Sequence, residues 1–302
     1  MVERTDTIPD MTPPPPRFEV AAGSVLGRDH VLAGRNNQDA CCCQRDEHGL
    51  VAVVCDGCSS GKHSEVGAKL GARLLVEALR RRLPELDAGD PATILEAVRQ
   101  EILRQLDTLV SAMGAERVPD VNAYFLFTIL GAAVTSQRAV VLALGDGLVF
   151  LNGKALPLPP SNNRPPYLAY GLIEHAVEGM RPETFRFRVV ADIPAADVTT
   201  LVLATDGAGK LCGGPGSLAR QGCDGLREFW LEDRYFTNPQ ALTRRLVQLN
   251  RDVRTVDWEA RRVDRRPGLL LDDTTLVVIR RQRIVARASG PCAGGTPAAP
   301  EG

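Results

Sequence analysis

No apolar run in this chain approaches the ~20 residues that a helix needs to cross a bilayer. Tyr124 to Val134 comes nearest, and it is short enough to read as a strand, so no membrane association is expected. An excess of one charge is missing as well. Lysine and arginine number 36 against 37 aspartates and glutamates, a formal net charge of −1, which supplies no basic field for nucleic acid. The N-terminus shows no signal-peptide pattern, so a cytoplasmic location with reduced thiols is expected. Histidine is scarce, four in all, and none stands in a base motif beside Ser59-Ser60 or a cysteine, which excludes a covalent route through a protein nucleophile. Internal repeats are absent.

Eight cysteines are present, but their spacing argues against a metal or redox site. Cys41, Cys42 and Cys43 fall in an alternating apolar stretch, where neighbours point to opposite faces of a strand and cannot share one ion. Cys55 and Cys58 form a lone Cys-x-x-Cys with Asp56 inside it, and Cys212 with Cys223 completes no regular zinc spacing. Such thiols serve as small hydrophobes.

Aspartate, by contrast, recurs at the tips of apolar runs. Five strings carry it: Asn37-Gln38-Asp39, Cys55-Asp56-Gly57, Gly145-Asp146-Gly147, Thr205-Asp206-Gly207 and Asp272-Asp273-Thr274-Thr275. Val51 to Cys55 and Thr199 to Thr205 are short β-branched runs and predict core strands that stop at Asp-Gly, while Leu276 to Ile279 predicts a strand that begins just after the Asp-Asp pair. Asp-Gly on its own is ordinary hairpin chemistry. A carboxylate at a strand end, followed by a glycine that lets backbone come close, also suits a hard divalent cation. For one string both readings stand; five at strand tips weaken the hairpin reading.

The rest of the pattern predicts an α+β fold. Phe18 to Leu26 reads as a strand, and Ser64 can cap a helix through Val66, Leu70, Leu74, Leu75 and Leu79. Asp90-Pro91 opens a second helix through Ile94, Leu95, Val98, Ile102, Leu106 and Leu109, and Asn238-Pro239 a third through Leu242, Leu246 and Leu249. Each has an apolar stripe for a sheet face, so two packed sheets flanked by helices are expected. Residues 1–16 end in four prolines and predict an extended, disordered arm; 284–302 are rich in glycine, alanine and proline and predict a disordered tail. Leu156 to Gly179 and Gly213 to Asp224 are too long for plain turns. Arginine clusters mark solvated helix faces and ends, with the loop group Arg261 to Arg266 kept as a contact for a phosphorylated or acidic substrate.

The ordered series Asn-Gln-Asp-Ala, Val-Cys-Asp-Gly-Cys-Ser-Ser, Leu-Gly-Asp-Gly, Ala-Thr-Asp-Gly and Asp-Asp-Thr-Thr-Leu-Val-Val-Ile resembles the metal-dependent serine/threonine phosphatases of the protein phosphatase 2C type, in their compact bacterial branch. The resemblance covers roughly Phe18 to Arg280 and implies a catalytic domain over 17–283, folded as a four-layer α-β-β-α sandwich of two antiparallel sheets flanked by helix pairs. It implies hydrolysis of phosphoserine and phosphothreonine in proteins by a water bridging two manganese or magnesium ions. Asp56 would bridge the ions, with the Gly57 carbonyl as a further ligand, and Asp206 and Asp272 would complete one shell. Asp39 would act beside them through water, and Asp146 with Asp206 would hold a third, weaker ion. Asp273, where relatives often have asparagine, would support the ligands, and Thr128 would be structural. Lys210 to Arg234 is the nearest match to a flap that shapes substrate choice in relatives.

Three departures matter. Gln38 stands where many relatives have glutamate, which keeps a hydrogen-bonding group and removes a charge. Gly34 stands where relatives place the phosphate-gripping arginine, so the grip falls to Arg28, Arg35 or His30, with Arg28 delivered by the first strand. Cys58 replaces a histidine of eukaryotic relatives, and His63 nearby has no motif support. The expected partners are a phosphorylated protein substrate, a serine/threonine kinase among them, for a monomeric enzyme. The alternative is a catalytically silent relative that binds phosphoproteins or a kinase; the presence of Asp56, Asp206 and Asp272 together favours the enzyme.

Overall fold

The computed structural model describes residues 17–282 except 115, 160–163 and 213–223. The expected arm at 1–16, the tail at 284–302 and the middle of the expected flap lie outside the described residues. The chain opens with β1 (Phe18–Val25) and a short helix α1 (Arg28–Ala33), then pairs β2 (Asp39–Arg45) with β3 (Leu50–Gly57). Helices α2 (Ser64–Arg80), α3 (Leu83–Ala88), α4 (Pro91–Met113) and α5 (Arg117–Tyr124) follow. Next come β4 (Phe127–Val134), β5 (Arg138–Leu144), β6 (Leu148–Leu151), β7 (Lys154–Leu156), β8 (Arg188–Pro194) and β9 (Thr200–Ala204). Helices α6 (Asp224–Leu231), α7 (Arg234–Thr237) and α8 (Ala241–Leu249) lead to the hairpin β10 (Val253–Asp257) and β11 (Arg262–Arg266), and the chain closes on β12 (Thr274–Arg281).

Two antiparallel five-stranded sheets result, in the orders β1-β12-β9-β6-β7 and β2-β3-β4-β5-β8, with β10-β11 as a separate ribbon. Side-chain parity builds the layers. Along β3, Val51, Val53 and Cys55 pack under α2 and α4, while Leu50, Ala52 and Val54 face the other sheet. Along β9 and β12, Leu201, Leu203, Val277 and Ile279 meet them, and Val202, Ala204, Leu276 and Val278 pack under α6 and α8. This is the expected α-β-β-α sandwich. Strands buried on both faces explain the unbroken apolar runs, and each fully buried Val, Leu or Ile stabilises the fold by roughly 1.5–3 kcal/mol. Cys42 sits under the helices while Cys41 and Cys43 lie between the sheets, so the three thiols do divide between opposite faces.

Local signals hold or shift by a few residues. Asp90 caps α4 and accepts from the Thr93 amide at 2.9 Å. Ser64 is the first residue of α2 rather than its cap, and its hydroxyl is taken by the Gln38 amide at 2.8 Å. Asn238 starts a turn that leads into α8 two residues later than the proline signal suggests. Tyr124 ends a helix, so the expected strand begins only at Phe127. Arg262 to Arg266 is a strand of the ribbon, not a loop. The proline-rich connection buries Leu168, Ala169 and Ile173 with α4, and the described parts of the expected flap bury Leu211, Leu226 and Phe229 under the β1 sheet.

Candidate functional site

The same parity that builds the inner layer carries six polar side chains into it at one end of the sandwich. Asp56 continues the Leu50, Ala52, Val54 series, and Asp39 lies directly opposite it in the β2–β3 ladder. Thr128 is Asp56's partner on β4. From the other sheet, Thr205 extends the Leu201, Leu203 series, and Thr275 and Asp273 extend the Ile279, Val277 series back past the strand start. Asp206 follows β9, Asp272 precedes β12, and Asp146 lies in the β5–β6 connection that passes between the sheets.

Hydrogen bonds lock this end. Thr205 Oγ1 donates to Asp39 Oδ2 at 2.8 Å and accepts from the Thr275 amide at 3.0 Å. Asn37 Oδ1 accepts from the Asp39 amide at 2.9 Å, and its Nδ2 donates to Ser24 Oγ at 2.8 Å. Asp273, 3 % exposed, accepts from the Gly27 amide at 2.7 Å and from the Gln38 amide at 2.6 Å. It is therefore a tie between β1, the start of β2 and β12. Gly207 is required where it stands, because a Cβ there would lie 2.0 Å from the Asp273 carbonyl oxygen. Gly57 is required likewise, since a Cβ would meet the Gln38 carbonyl at 2.7 Å.

The electrostatics are those of crowded, partly buried carboxylates. Burial pushes Asp39 up to about 8; hydrogen bonds from Thr205 and Thr275 oppose the shift, and the charges of Asp273 and Asp272 add to it. Asp56 is pushed well above the usual carboxylate range by burial and by the charges of Asp39, Asp206 and Asp272. Asp206, open to solvent on one side, is raised by the protein around it and by Asp272 and Asp146. The Asp56 and Asp206 carboxyls also interact directly with each other, side chain to side chain. Asp39 Oδ1 and Gln38 Oε1 are buried with no hydrogen-bond partner. An orphaned carboxylate oxygen among like charges is costly unless a cation shares it, and the donors are all oxygen, so the residues fit a hard divalent ion.

The structure brings Asp39, Asp56, Gly57, Asp206, Asp272 and Asp146 to one end, and separates the three candidates for a phosphate grip. Arg28 opens α1 instead of ending a strand; its guanidinium lies 3.5 Å from Asp29 and lines a cleft with Asp252 and Arg265. Arg35 donates from Nη1 to the Ser59 carbonyl at 2.6 Å, on the loop that follows Asp56-Gly57. His30 stands between two carboxylates, Nδ1 2.9 Å from Asp273 and Nε2 3.7 Å from Asp272, and these three residues bring ligand atoms within 4.8 Å of one another. Both Asp273 oxygens are also held by backbone amides, so His30 stands beside a carboxylate that the chain already satisfies. Gln38 spans Gly61 and Ser64 through its amide nitrogen. His63 stacks on Tyr124 with ring centres 4.9 Å apart. Ser24 carried no signal, Ser64 was expected only as a helix cap, and Asn37, Thr205 and Thr275 stood inside the aspartate strings without a role of their own; the strand parity placing Thr205 and Thr275 inward is the signal that finds two of them.

Residues 26–246 match the sequence model of a family described as protein phosphatase 2C. Among solved structures, a bacterial serine phosphatase superposes with a TM-score of 0.50 at 12% identity, covering 88% of this chain and 98% of that one. A variant of a bacterial serine phosphatase bearing an arginine-to-glutamate mutation gives 0.51 at 10%, covering 88% and 99%. PppA, a key regulatory component of T6SS in Pseudomonas aeruginosa, gives 0.49 at 20%, covering 88% and 98%. A comparison with curated proteins found no match. At these identities the first two show the shared fold.

Proposed function

Because this chain belongs to the protein phosphatase 2C family, we propose that it is a metal-dependent phosphatase acting on phosphoserine and phosphothreonine in proteins. One observation carries the reading: Asp39, Asp56 and Asp206 converge with proton affinities raised by burial and mutual repulsion, and Asp39 Oδ1 has no partner. Divalent cations would take up that repulsion. Asp56 and the Gly57 carbonyl would hold two manganese or magnesium ions, Asp206 and Asp272 would complete one shell, and Asp146 with Asp206 would hold a third, weaker ion. The all-oxygen set suits these ions better than zinc. When bound, such a pair supplies a water activated near neutral pH and neutralises charge on the phosphoryl oxygens.

The chain's own residues do the positioning. Thr205 and Thr275 fix Asp39, whose Oδ1 is the atom available to hold a water or take its proton. The Asp273 tie sets the spacing between the sheets, and hence between Asp56 and Asp272. Arg35, beside the Asp56-Gly57 loop, is better placed than Arg28 to grip a substrate phosphate, where a planar, permanent charge is wanted. The substrate is a phosphorylated protein, with a serine/threonine kinase as one such partner, and a monomer in the cytoplasm is the simplest setting. Among the described residues no helix is long and apolar enough to cross a membrane.

Hydrolysis of an aryl phosphate by the purified chain tests the reading: turnover with added manganese or magnesium and none in excess chelator is expected. Turnover that survives chelator contradicts the metal dependence. No turnover with either ion would leave the silent phosphoprotein-binding module as the better account.

A further inference from the structure

The β10–β11 ribbon is the largest feature that the site does not use. It joins neither sheet, and every residue of β11 and all but one of β10 are exposed. A two-stranded ribbon is marginal in water by itself. This one is anchored at its base by Asp252, which accepts from Arg265 Nε at 3.1 Å and from the Gly268 amide at 2.9 Å, and by Asn250, which spans Leu26 and Leu270.

Its register is unusual. On one face Arg254 lies opposite Arg265, and Val256 opposite Val263. Like charges directly across a ladder are unfavourable, and the valines are 44% and 59% exposed. The hairpin tip presents Trp258, 83% exposed. Arg262 pairs with Asp264 at 2.9 Å, but Arg254, Arg261 and Arg266 meet no carboxylate among the described residues. Exposed arginines beside an exposed tryptophan and paired valines are what a protein interface concentrates in its centre.

The same face leads toward the catalytic end. Arg265 lines a cleft of about 540 Å³ with Arg28, Val31, Leu32 and Asp252. Val31 and Leu32, 58% and 79% exposed, belong to α1, the helix whose His30 touches Asp272 and Asp273. Ribbon and cleft thus lie beside α1, the helix that also contacts the carboxylate centre.

We propose that the Arg254, Arg265, Val256, Val263 face of the ribbon, with the cleft beside α1, docks an acidic segment of the phosphoprotein substrate that also carries an apolar residue. The proposal rests on the reading of the chain as a protein phosphatase. On this face Arg254 meets no carboxylate among the described residues and calls for an anion, Arg265 is held by Asp252 beside it, and the apolar pair calls for a side chain, which a nucleic-acid backbone does not offer. Asp257 and Asp264, on the opposite face of the ribbon, would oppose a uniform polyanion that wraps it but not a segment confined to the Arg254 face.

Two fluorescein-labelled phosphothreonine peptides test it, one with glutamates and a leucine flanking the phosphorylated residue and one with each glutamate replaced by glutamine. Anisotropy in chelator reads docking without catalysis, and kcat/KM with manganese reads its use. The acidic peptide is expected to bind at least fivefold tighter and to show the lower KM. Arg254→Glu puts opposite charges across the ladder, so it cannot weaken the ribbon. It should abolish the preference with aryl phosphate turnover unchanged, and Val263→Thr, a good strand former, should weaken both peptides alike. Equal affinity for the two peptides, a preference that persists in Arg254→Glu, or displacement of the acidic peptide by single-stranded DNA of equal charge would overturn the proposal. Self-association of the free chain that the ribbon variants abolish would overturn it too. If the wild type fails to turn over aryl phosphate yet keeps the peptide preference, docking stands and the enzymatic reading falls.

Discussion

Asp39→Asn removes one titrating carboxyl from the buried cluster while leaving an oxygen that can still accept from Thr205 Oγ1. In the chain without ions, burial first, and then the charges of Asp273 and Asp272, raise Asp39 from 3.8 to about 8. A carboxyl that binds its proton more tightly when folded stabilises the fold fully below its unfolded pKa and loses that share as pH climbs toward the folded one. From pH 5 to pH 7 the unfolded chain has released this proton and the folded chain has kept it, a change of about two units or ~2.7 kcal/mol. At ~2–4 °C per kcal/mol for a domain of this size, the group alone should lower Tm by roughly 5–10 °C across that interval. Melts followed by circular dichroism in chelator from pH 5 to pH 8 measure it. The wild type should lose stability with pH more steeply than Asp39→Asn, by about that amount, and saturating manganese should stabilise the wild type more than the variant. Parallel Tm curves for the two chains would refute the claim that the cluster stores repulsion.

Asp146→Ala should keep two bound ions by elemental analysis yet turn over phosphopeptide poorly, because it serves the third site; loss of either of the other two would refute that division. Arg35→Ala should raise KM for aryl phosphate more than it lowers kcat, since the contact is made in the ground state, while Arg28→Ala should change either constant by less than about twofold, under ~0.4 kcal/mol. A larger effect at Arg28 would return the grip to the first helix. Thr205→Val strips Asp39 of its donor and leaves the Thr275 amide without its acceptor, so a fall of about 1–3 kcal/mol by urea unfolding is expected at pH 7. An unchanged midpoint would show that water replaces the hydroxyl.

The strands and the layers were legible because burial on both faces writes continuous apolar runs such as Leu50 to Cys55 and Leu276 to Ile279, and because an aspartate at the end of each run stands out against them. The clustering of those aspartates at one end follows from antiparallel strands and their parity, although which of two adjacent carboxylates faces inward needs the register: Asp273 continues the inner series and is buried, and Asp272 does not. The ties made by Asp273, Gln38 and Ser64 join residues more than twenty positions apart and leave no periodic trace. Short elements were the other blind spot. Helix α1 is a single turn or so with no buried residue, so nothing in its pattern marks it, and it takes Arg28 away from the place a strand would have delivered it. The ribbon escaped because strands exposed on both faces carry no hydrophobic alternation.

Phosphate release from a phosphothreonine peptide, with manganese titrated into the wild type and into Asp56→Asn, tests the central claim most directly. The account predicts saturable activation of the wild type, no turnover by Asp56→Asn at any manganese concentration, and an ion-free Tm for the variant at or above that of the wild type, because an amide escapes the cost of burying an ionisable carboxyl among like charges. Turnover by Asp56→Asn comparable to the wild type, or wild-type turnover indifferent to manganese and to chelator, would contradict it.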